Sequence, residues 1–307
     1  MKKYVLIAVS ANILFGLIPA YWKFLEEIST AYILAQRVVW SVVFTFLIIV
    51  LARNKDLLKS ALADTRQMIY TALAGLTISA NWYLYIWAVN SEKVIETSLA
   101  YYMSPFMIFL FGVTLFKERS TKWETVAVLF AASGIILSAL QLGTLPWVAI
   151  LLAFSFALYG AFKKAANIDP AVSLTIEMLV VLPVALIYLG LTSFGEKGAL
   201  TGIPFYQFLL LMGTGVVSSF PLWLYSYGVN KLPFSLVSFL QYIWPTTSLL
   251  LGVFGFHESL SKAKLVSFCF IWAGLLIFSF SKLRLRLFQG EVNRCLKAGN
   301  VTGHPDE

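Results

Sequence analysis

The chain has 307 residues, 59% hydrophobic and only 12% charged, with a formal net charge of +8 and a mean hydropathy of +0.81. Soluble domains carry about twice that charged fraction, and no single core could hide so much apolar surface, so lipid is expected to solvate much of the chain. The basic residues sit in short breaks between apolar runs and in a tail from Lys282 to Lys297, which suits membrane flanks and argues against a nucleic-acid-binding face. Cys269 and Cys295, with His257 and His304, offer neither a disulfide nor a metal-ligand spacing. No phosphate loop, nucleotide fingerprint or zinc motif occurs, so no cofactor, no metal and no catalytic residue is expected.

After Met1–Lys3, apolar runs of spanning length follow at 4–22, 32–52, 67–89, 95–116, 123–140, 145–162, 170–190, 204–228, 234–256 and 264–281. Each is near the roughly 20 residues a helix needs to cross a bilayer, whereas barrel strands would be half as long and would alternate. The first run resembles the start of a signal peptide but lacks a small-residue cleavage site followed by a soluble domain, so it reads as a retained helix. Counting Lys and Arg loop by loop places 17 on one side and 5 on the other, with Arg37 inside the second run and left out. Both termini are therefore expected in the cytoplasm.

The halves echo one another at an offset of 140 residues. Trp87-Ala-Val-Asn90 recurs as Tyr227-Gly-Val-Asn230, and Tyr102-Met-Ser-Pro105 as Tyr242-Ile-Trp-Pro245. Gly112, Glu118 and Gly134 recur as Gly252, Glu258 and Gly274, and Lys23 as Lys163. Five spans per copy is an odd number, so the second copy must enter the membrane inverted, as in many secondary transporters. The expected fold is an all-α polytopic membrane protein of ten transmembrane helices in two inverted five-helix repeats, 1–140 and 141–281, with a polar tail over 282–307.

Ionisable and polar residues inside the runs mark the expected substrate path. Arg37 and its counterpart at the same offset, Glu177, are opposite charges at mirrored positions. They either pair, line the path from opposite mouths, or snorkel to an interface as structural charges. Asn81 and Tyr85 share a face of the third span, opposite Trp223 in the eighth. Glu96 and Tyr101 open the fourth span, while Gln241 and Tyr242 interrupt the apolar ninth. Pro105, Pro221 and Pro245 are expected to kink their helices or gate the path, since proline frees a carbonyl one turn back. Glu118 and Glu258 are expected to bond the free N–H groups of a following helix or a nearby Lys. Lys23 and Lys163 read as interfacial anchors or mouths of the path.

Several stretches together resemble the EamA family of the drug/metabolite transporter superfamily, and its RarD branch in particular. They include Phe15-Gly-Leu-Ile-Pro-Ala-Tyr-Trp-Lys23, Gln36-Arg-Val-Val-Trp-Ser41, Glu96-Thr-Ser-Leu-Ala-Tyr101, Leu152-Ala-Phe-Ser-Phe-Ala-Leu-Tyr-Gly160 and Phe239-Leu-Gln-Tyr-Ile-Trp-Pro245. The family usually shows His where this chain has Gln36, which removes one candidate proton relay and leaves Glu96 and Glu177 for that role. The resemblance implies a multi-pass protein of the bacterial inner or plasma membrane that exports or exchanges small organic solutes. Membrane lipids are the other expected partners, protons the candidate coupling ion and a homodimer the candidate assembly. The competing classes are a membrane scaffold or receptor, which would show no alternating access, and a lipid-modifying enzyme, which would need a nucleophile, acid and base near one leaflet.

Overall fold

The computed structural model describes residues 2–25, 27–51, 55–91, 93–141, 145–193, 204–255, 265–266, 269–270, 272–278 and 280. The protein is an all-α membrane protein. Its helices are α1 (Lys2–Trp22), α2 (Thr30–Leu51), α3 (Lys55–Ala63), α4 (Thr65–Asn90), α5 (Val94–Thr114), α6 (Lys122–Gln141), α7 (Trp147–Ala166), α8 (Pro170–Ser193), α9 (Phe205–Lys231), α10 (Phe234–Gln241) and α11 (Ile243–Leu250). Described residues between 265 and 280 also have helical backbone. Glu258, His257, Cys295, His304 and the basic tail lie outside the described residues.

Among the described residues, six segments are long and apolar enough to cross a membrane: Lys2–Leu25, Thr30–Leu51, Trp147–Ala166, Pro170–Thr192, Phe205–Lys231 and Phe234–Gly255. The 26-residue α4 is longer than most of these, but Asn81, Trp82, Tyr83, Tyr85 and Trp87 lower its hydropathy. The bundle is apolar outside and partly polar inside. On α2, Val43, Phe46, Leu47 and Val50 are exposed, whereas Ser41 and Thr45 are buried. In water each exposed large apolar side chain would forfeit about 1.5–3 kcal/mol of burial, so this face is built for lipid.

Capping explains where the helices start. Asp64 accepts from the amides of Arg66 (2.9 Å) and Gln67 (3.2 Å) at α4, and Asp169 from those of Ala171 (2.9 Å) and Val172 (3.2 Å) at α8. Pro170 takes the first position of α8, where its missing N–H does no harm. Thr121 and Glu124 exchange bonds as a capping box at α6. Asn167, in the left-handed region at φ 47°, closes α7.

Helix α3 occupies the break between the second and third apolar runs, where Lys55, Asp56 and Lys59 interleave with leucines and alanines in an amphipathic pattern. The ninth run is a single spanning segment, Phe234–Gly255, whose helix is interrupted at Tyr242 between α10 and α11, next to Pro245, and ends in a π-helical turn, Leu251–Gly255. Pro245 cannot donate to the Gln241 carbonyl, which removes a rung at that break. Pro105 and Pro221, by contrast, sit within helices that run on through them.

The helix contacts form a closed pattern. Helices α4 and α5 pack on α7, while α9, α10 and α11 pack on α1. Helix α2 meets α8 and α9, α8 also meets α4, and α5 meets α10. At the α5–α10 contact, Glu118 grips the other half of the chain. Its two oxygens accept from the amides of Phe234 (2.6 Å) and Ser235 (2.8 Å) at the start of α10, and Lys164 donates to it at 2.9 Å. Partial burial pushes its carboxyl up, but the amides of Ser235 and Phe234 and the Lys164 ammonium outweigh burial and hold it below the ordinary glutamate range. Glu118→Gln should therefore lower stability by about 1 kcal/mol. A depressed folded pKa stabilises above the unfolded value, and that contribution fades as pH falls through the folded one. Melting curves should accordingly show the gap between intact protein and variant closing on acidification below the usual glutamate range; a gap that stays constant would rule out the charged clamp.

Candidate functional site

Between the two halves runs a column of aromatic rings. Starting in α4, Tyr85 stands 6.3 Å from Tyr101 of α5, and Tyr101 stands 4.8 Å from Trp244 of α11, by ring centroids. Trp244 stacks on Phe15 of α1 at 5.0 Å and meets Phe156 of α7 at 6.0 Å. Phe156 in turn neighbours Tyr159 (5.9 Å) and Tyr225 of α9 (6.0 Å), which stack on each other at 6.4 Å. Tyr159 and Tyr225 are fully buried. Gly160 lets them approach: a Cβ there would lie 2.9 Å from the Tyr225 hydroxyl and 3.0 Å from the Phe234 ring.

Arg37 reaches this column from α2. Its guanidinium lies over the Trp82 ring, 4.0 Å from the centroid, and within electrostatic range of Tyr101 and Tyr159. Its buried Nε has no hydrogen-bond partner, and no carboxylate among the described residues lies within ion-pair distance. Neighbouring Gln36 is turned to its own helix, donating to the Tyr32 hydroxyl (3.0 Å) and accepting from Trp40 Nε1 (3.1 Å).

Glu177 does not pair with Arg37. It is fully buried in α8 and accepts from Lys163 Nζ (2.6 Å), Ser173 Oγ (2.5 Å) and the Tyr159 hydroxyl (3.1 Å). Lys163, expected at an interface, is 2% exposed; its long stem lets it fold back from the last turn of α7 onto the adjacent α8. The pair is electrically neutral, and Tyr159 links it to the column.

Other polar groups around the column are incompletely bonded. By strict geometry neither amide atom of Gln241 nor the Tyr225 hydroxyl completes a hydrogen bond, although the two side chains lie close enough to bond each other, and Ser218 Oγ on the same face of α9 is likewise buried without a partner. Unsatisfied buried groups are uncommon and each costs about 1–3 kcal/mol.

The remaining expected site residues make contacts of their own. Asn81 donates to the Leu152 carbonyl (2.9 Å) and Ser155 Oγ (2.8 Å), tying α4 to α7. Glu96 accepts from the Val148 amide (3.0 Å) at the start of α7 and pairs with Lys93 at 3.4 Å. Trp223 packs both against the core that contains Phe156, Tyr159 and Tyr225 and against the cluster of Ile49 and Ile176, and Tyr242 packs with Ala131 and Leu275. The column thus gathers Arg37, Tyr85, Tyr101 and Gln241, with Glu177 beside it. Sequence reasoning did not single out Trp82, Phe156, Tyr159, Tyr225 or Trp244, because aromatic residues are also the commonest membrane-interface anchors. A surface cleft of about 200 Å³ between the α7–α8 turn and the end of α9, lined by Asn167, Asp169 and Lys231 among others, involves none of the column residues.

Comparison with known proteins agrees with this architecture. A solved crystal structure superposes with a TM-score of 0.72 over 93% of this chain and 99% of its own, at 16% identity, a likeness of fold alone. The "Uncharacterized transporter YojE" of Bacillus subtilis is 40% identical over 287 residues, covering 92% of this chain and 95% of its own length. "Protein RarD" of Escherichia coli is 34% identical over 277 residues, covering 90% and 94%. The "Chloramphenicol-sensitive protein RarD" of Pseudomonas aeruginosa is 27% identical over 285 residues, covering 92% and 95%. The model of the EamA-like transporter family matches twice, over residues 2–140 and 145–280. With its lipid-facing helices and these full-length relatives, the chain is a multi-pass bacterial membrane protein and a transporter rather than a catalytic enzyme, and it belongs to the EamA-like transporter family.

Proposed function

We propose that the protein is a secondary transporter that moves small organic solutes by alternating access between two inverted five-helix repeats. The repeats are residues 1–140 and 141–281, in a ten-helix arrangement with a cytoplasmic tail over 282–307 and both termini cytoplasmic. The observation that carries this reading is the contact pattern. Shifted by 140 residues, the packing of α4 and α5 on α7 becomes the packing of α9 and the α10–α11 segment on α1. Likewise the α2–α9 contact becomes α8–α4, while α2–α8 and α5–α10 map onto themselves. A two-fold relation of this kind supports two equivalent packings of one bundle, the outward one being the inward one with the repeats exchanged.

The close approaches repeat as well. Gly75 of α4 lies against the backbone of Glu177, and its counterpart Gly215 of α9 lies against the backbone of Trp40. In the expected orientation the first contact falls in the cytoplasmic half and the second in the outer half, as inversion requires. The aromatic column between them is the proposed solute path, with Arg37, Tyr85, Tyr101 and Gln241 lining it.

The test uses Tyr85 and Tyr225, equivalent positions at opposite ends of the column. In a background without Cys269 and Cys295, Tyr85→Cys/Tyr225→Cys protein is treated with a bulky membrane-impermeant thiol reagent. Wedging one end open should slow labelling at the other by about ten-fold, because the two openings exclude each other. Independent labelling of both ends would instead support a scaffold or receptor.

A further inference from the structure

We propose that the column is an anion site, selective for small planar organic monoanions such as aromatic carboxylates or sulfonates. This rests on the transport reading for its purpose but on local charge for its selectivity. Among the described residues, the charged groups at the column are Arg37, Lys163 and Glu177. Lys163 and Glu177 neutralise each other at 2.6 Å, both essentially inaccessible. Arg37 is left as a net positive charge, inside a bundle where an isolated ion is expensive.

The Trp82 ring stabilises that charge through one face of the guanidinium. A face contact leaves the N–H edge unused, and the buried Nε on that edge has no partner. The planar fork of Arg is the geometry that carboxylate and sulfonate oxygens accept from in pairs. An incoming anion would supply both the missing charge and the missing acceptors.

The surroundings choose the rest of the ligand. Tyr101, Trp244, Phe156, Tyr159 and Tyr225 pack on one another at centroid distances of 4.8–6.4 Å, and a flat apolar body would take its place among these rings when the helices part. Gln241, 2% exposed, and the Tyr225 hydroxyl beside it bond no third polar group among the described residues, and together they can turn to receive a second polar group of the ligand. Cations are repelled by Arg37. A zwitterion would bring an ammonium group that needs an acceptor, and Glu177 already accepts from Lys163, Ser173 and Tyr159. The site therefore discriminates against ammonium groups by leaving them unpaired.

The test measures thermal unfolding of the purified full chain with benzoate, benzenesulfonate, phenylalanine and benzyltrimethylammonium, against sodium chloride of equal ionic strength. Benzoate and benzenesulfonate should raise Tm with concentration, and the other two should not. Arg37→Gln should weaken the anion effect about ten-fold or more, and Arg37→Lys should retain part of it. Ligand-free melting of both variants checks that they fold, and Gln241→Leu provides a second, uncharged perturbation that should also weaken the shift. The proposal fails if phenylalanine or the quaternary amine stabilises as well as the anions. It fails equally if the anion shift survives in folded Arg37→Gln, or if no probe acts on folded intact protein. Proteoliposome flux separates the two readings. Arg37-dependent anion binding without flux would sink transport and leave the anion site. Saturable phenylalanine flux independent of Arg37 would sink the anion site and leave transport.

Discussion

Replacing Lys163 by methionine should destabilise the protein by about 3–5 kcal/mol, because it strands a buried carboxylate. Glu177 is fully buried, and removing the ammonium leaves only the Ser173 and Tyr159 hydroxyls to offset its charge. Hydroxyls donate hydrogen bonds but carry no formal charge, and in a bundle of low dielectric the lost attraction is not replaced by water. The pair need not be the most stable way to fill this space, since well-packed neutral residues often do as well. Lys163→Met/Glu177→Leu should therefore recover much of the loss. Unfolding of the two single variants and the double variant in one lipid–detergent mixture gives the coupling directly. Additive effects would show that the two charges stand independently despite their 2.6 Å separation. Flux should follow a different order. Tyr159 joins the pair to the column, so the double variant should fold yet transport poorly.

Gly215→Leu and Gly75→Leu form the second strong prediction, with an expected loss of about 1–3 kcal/mol each and of most transport. A Cβ at Gly215 would lie 2.5 Å from Trp40 Cβ and 2.6 Å from its carbonyl oxygen. At Gly75 it would meet the Glu177 carbonyl oxygen at 2.9 Å and Cα at 3.0 Å. These neighbours are largely backbone, which cannot rotate away as a side chain can, so the helices themselves must part. Small residues of this kind let transmembrane backbones approach closely. Gly190, with nothing within 4 Å of its Cβ position, is the matched control and should accept leucine with little change. If both sites tolerate leucine as Gly190 does, the α2–α9 and α4–α8 contacts do not limit function.

Much of this architecture is legible from the chain alone. Its apolar runs locate the long helices because hydrocarbon imposes a length and a composition. The matches at 140 residues hold the information for the paired packing, since equivalent sequences make equivalent contacts. The family-like stretches already contain Tyr101, Phe156, Tyr159 and Trp244, though nothing in a linear pattern says that these rings meet. Glu118 was readable as a binder of free amides, but its target lies more than a hundred residues away, on α10.

The sequence by itself determined solvent, class and internal duplication, because these depend on local hydrophobicity and on repetition along the chain. Only the tertiary structure decided partners. Arg37 and Glu177 look like an ion pair when the repeats are aligned, yet Glu177 is held by Lys163 and Arg37 lies on Trp82. Glu96 looks like a path residue, yet it binds an amide at the start of α7. The physical reason is that electrostatic and hydrogen-bonding energies depend on distance and direction in space. Helix packing sets both, while symmetry at the level of sequence sets only which positions are equivalent.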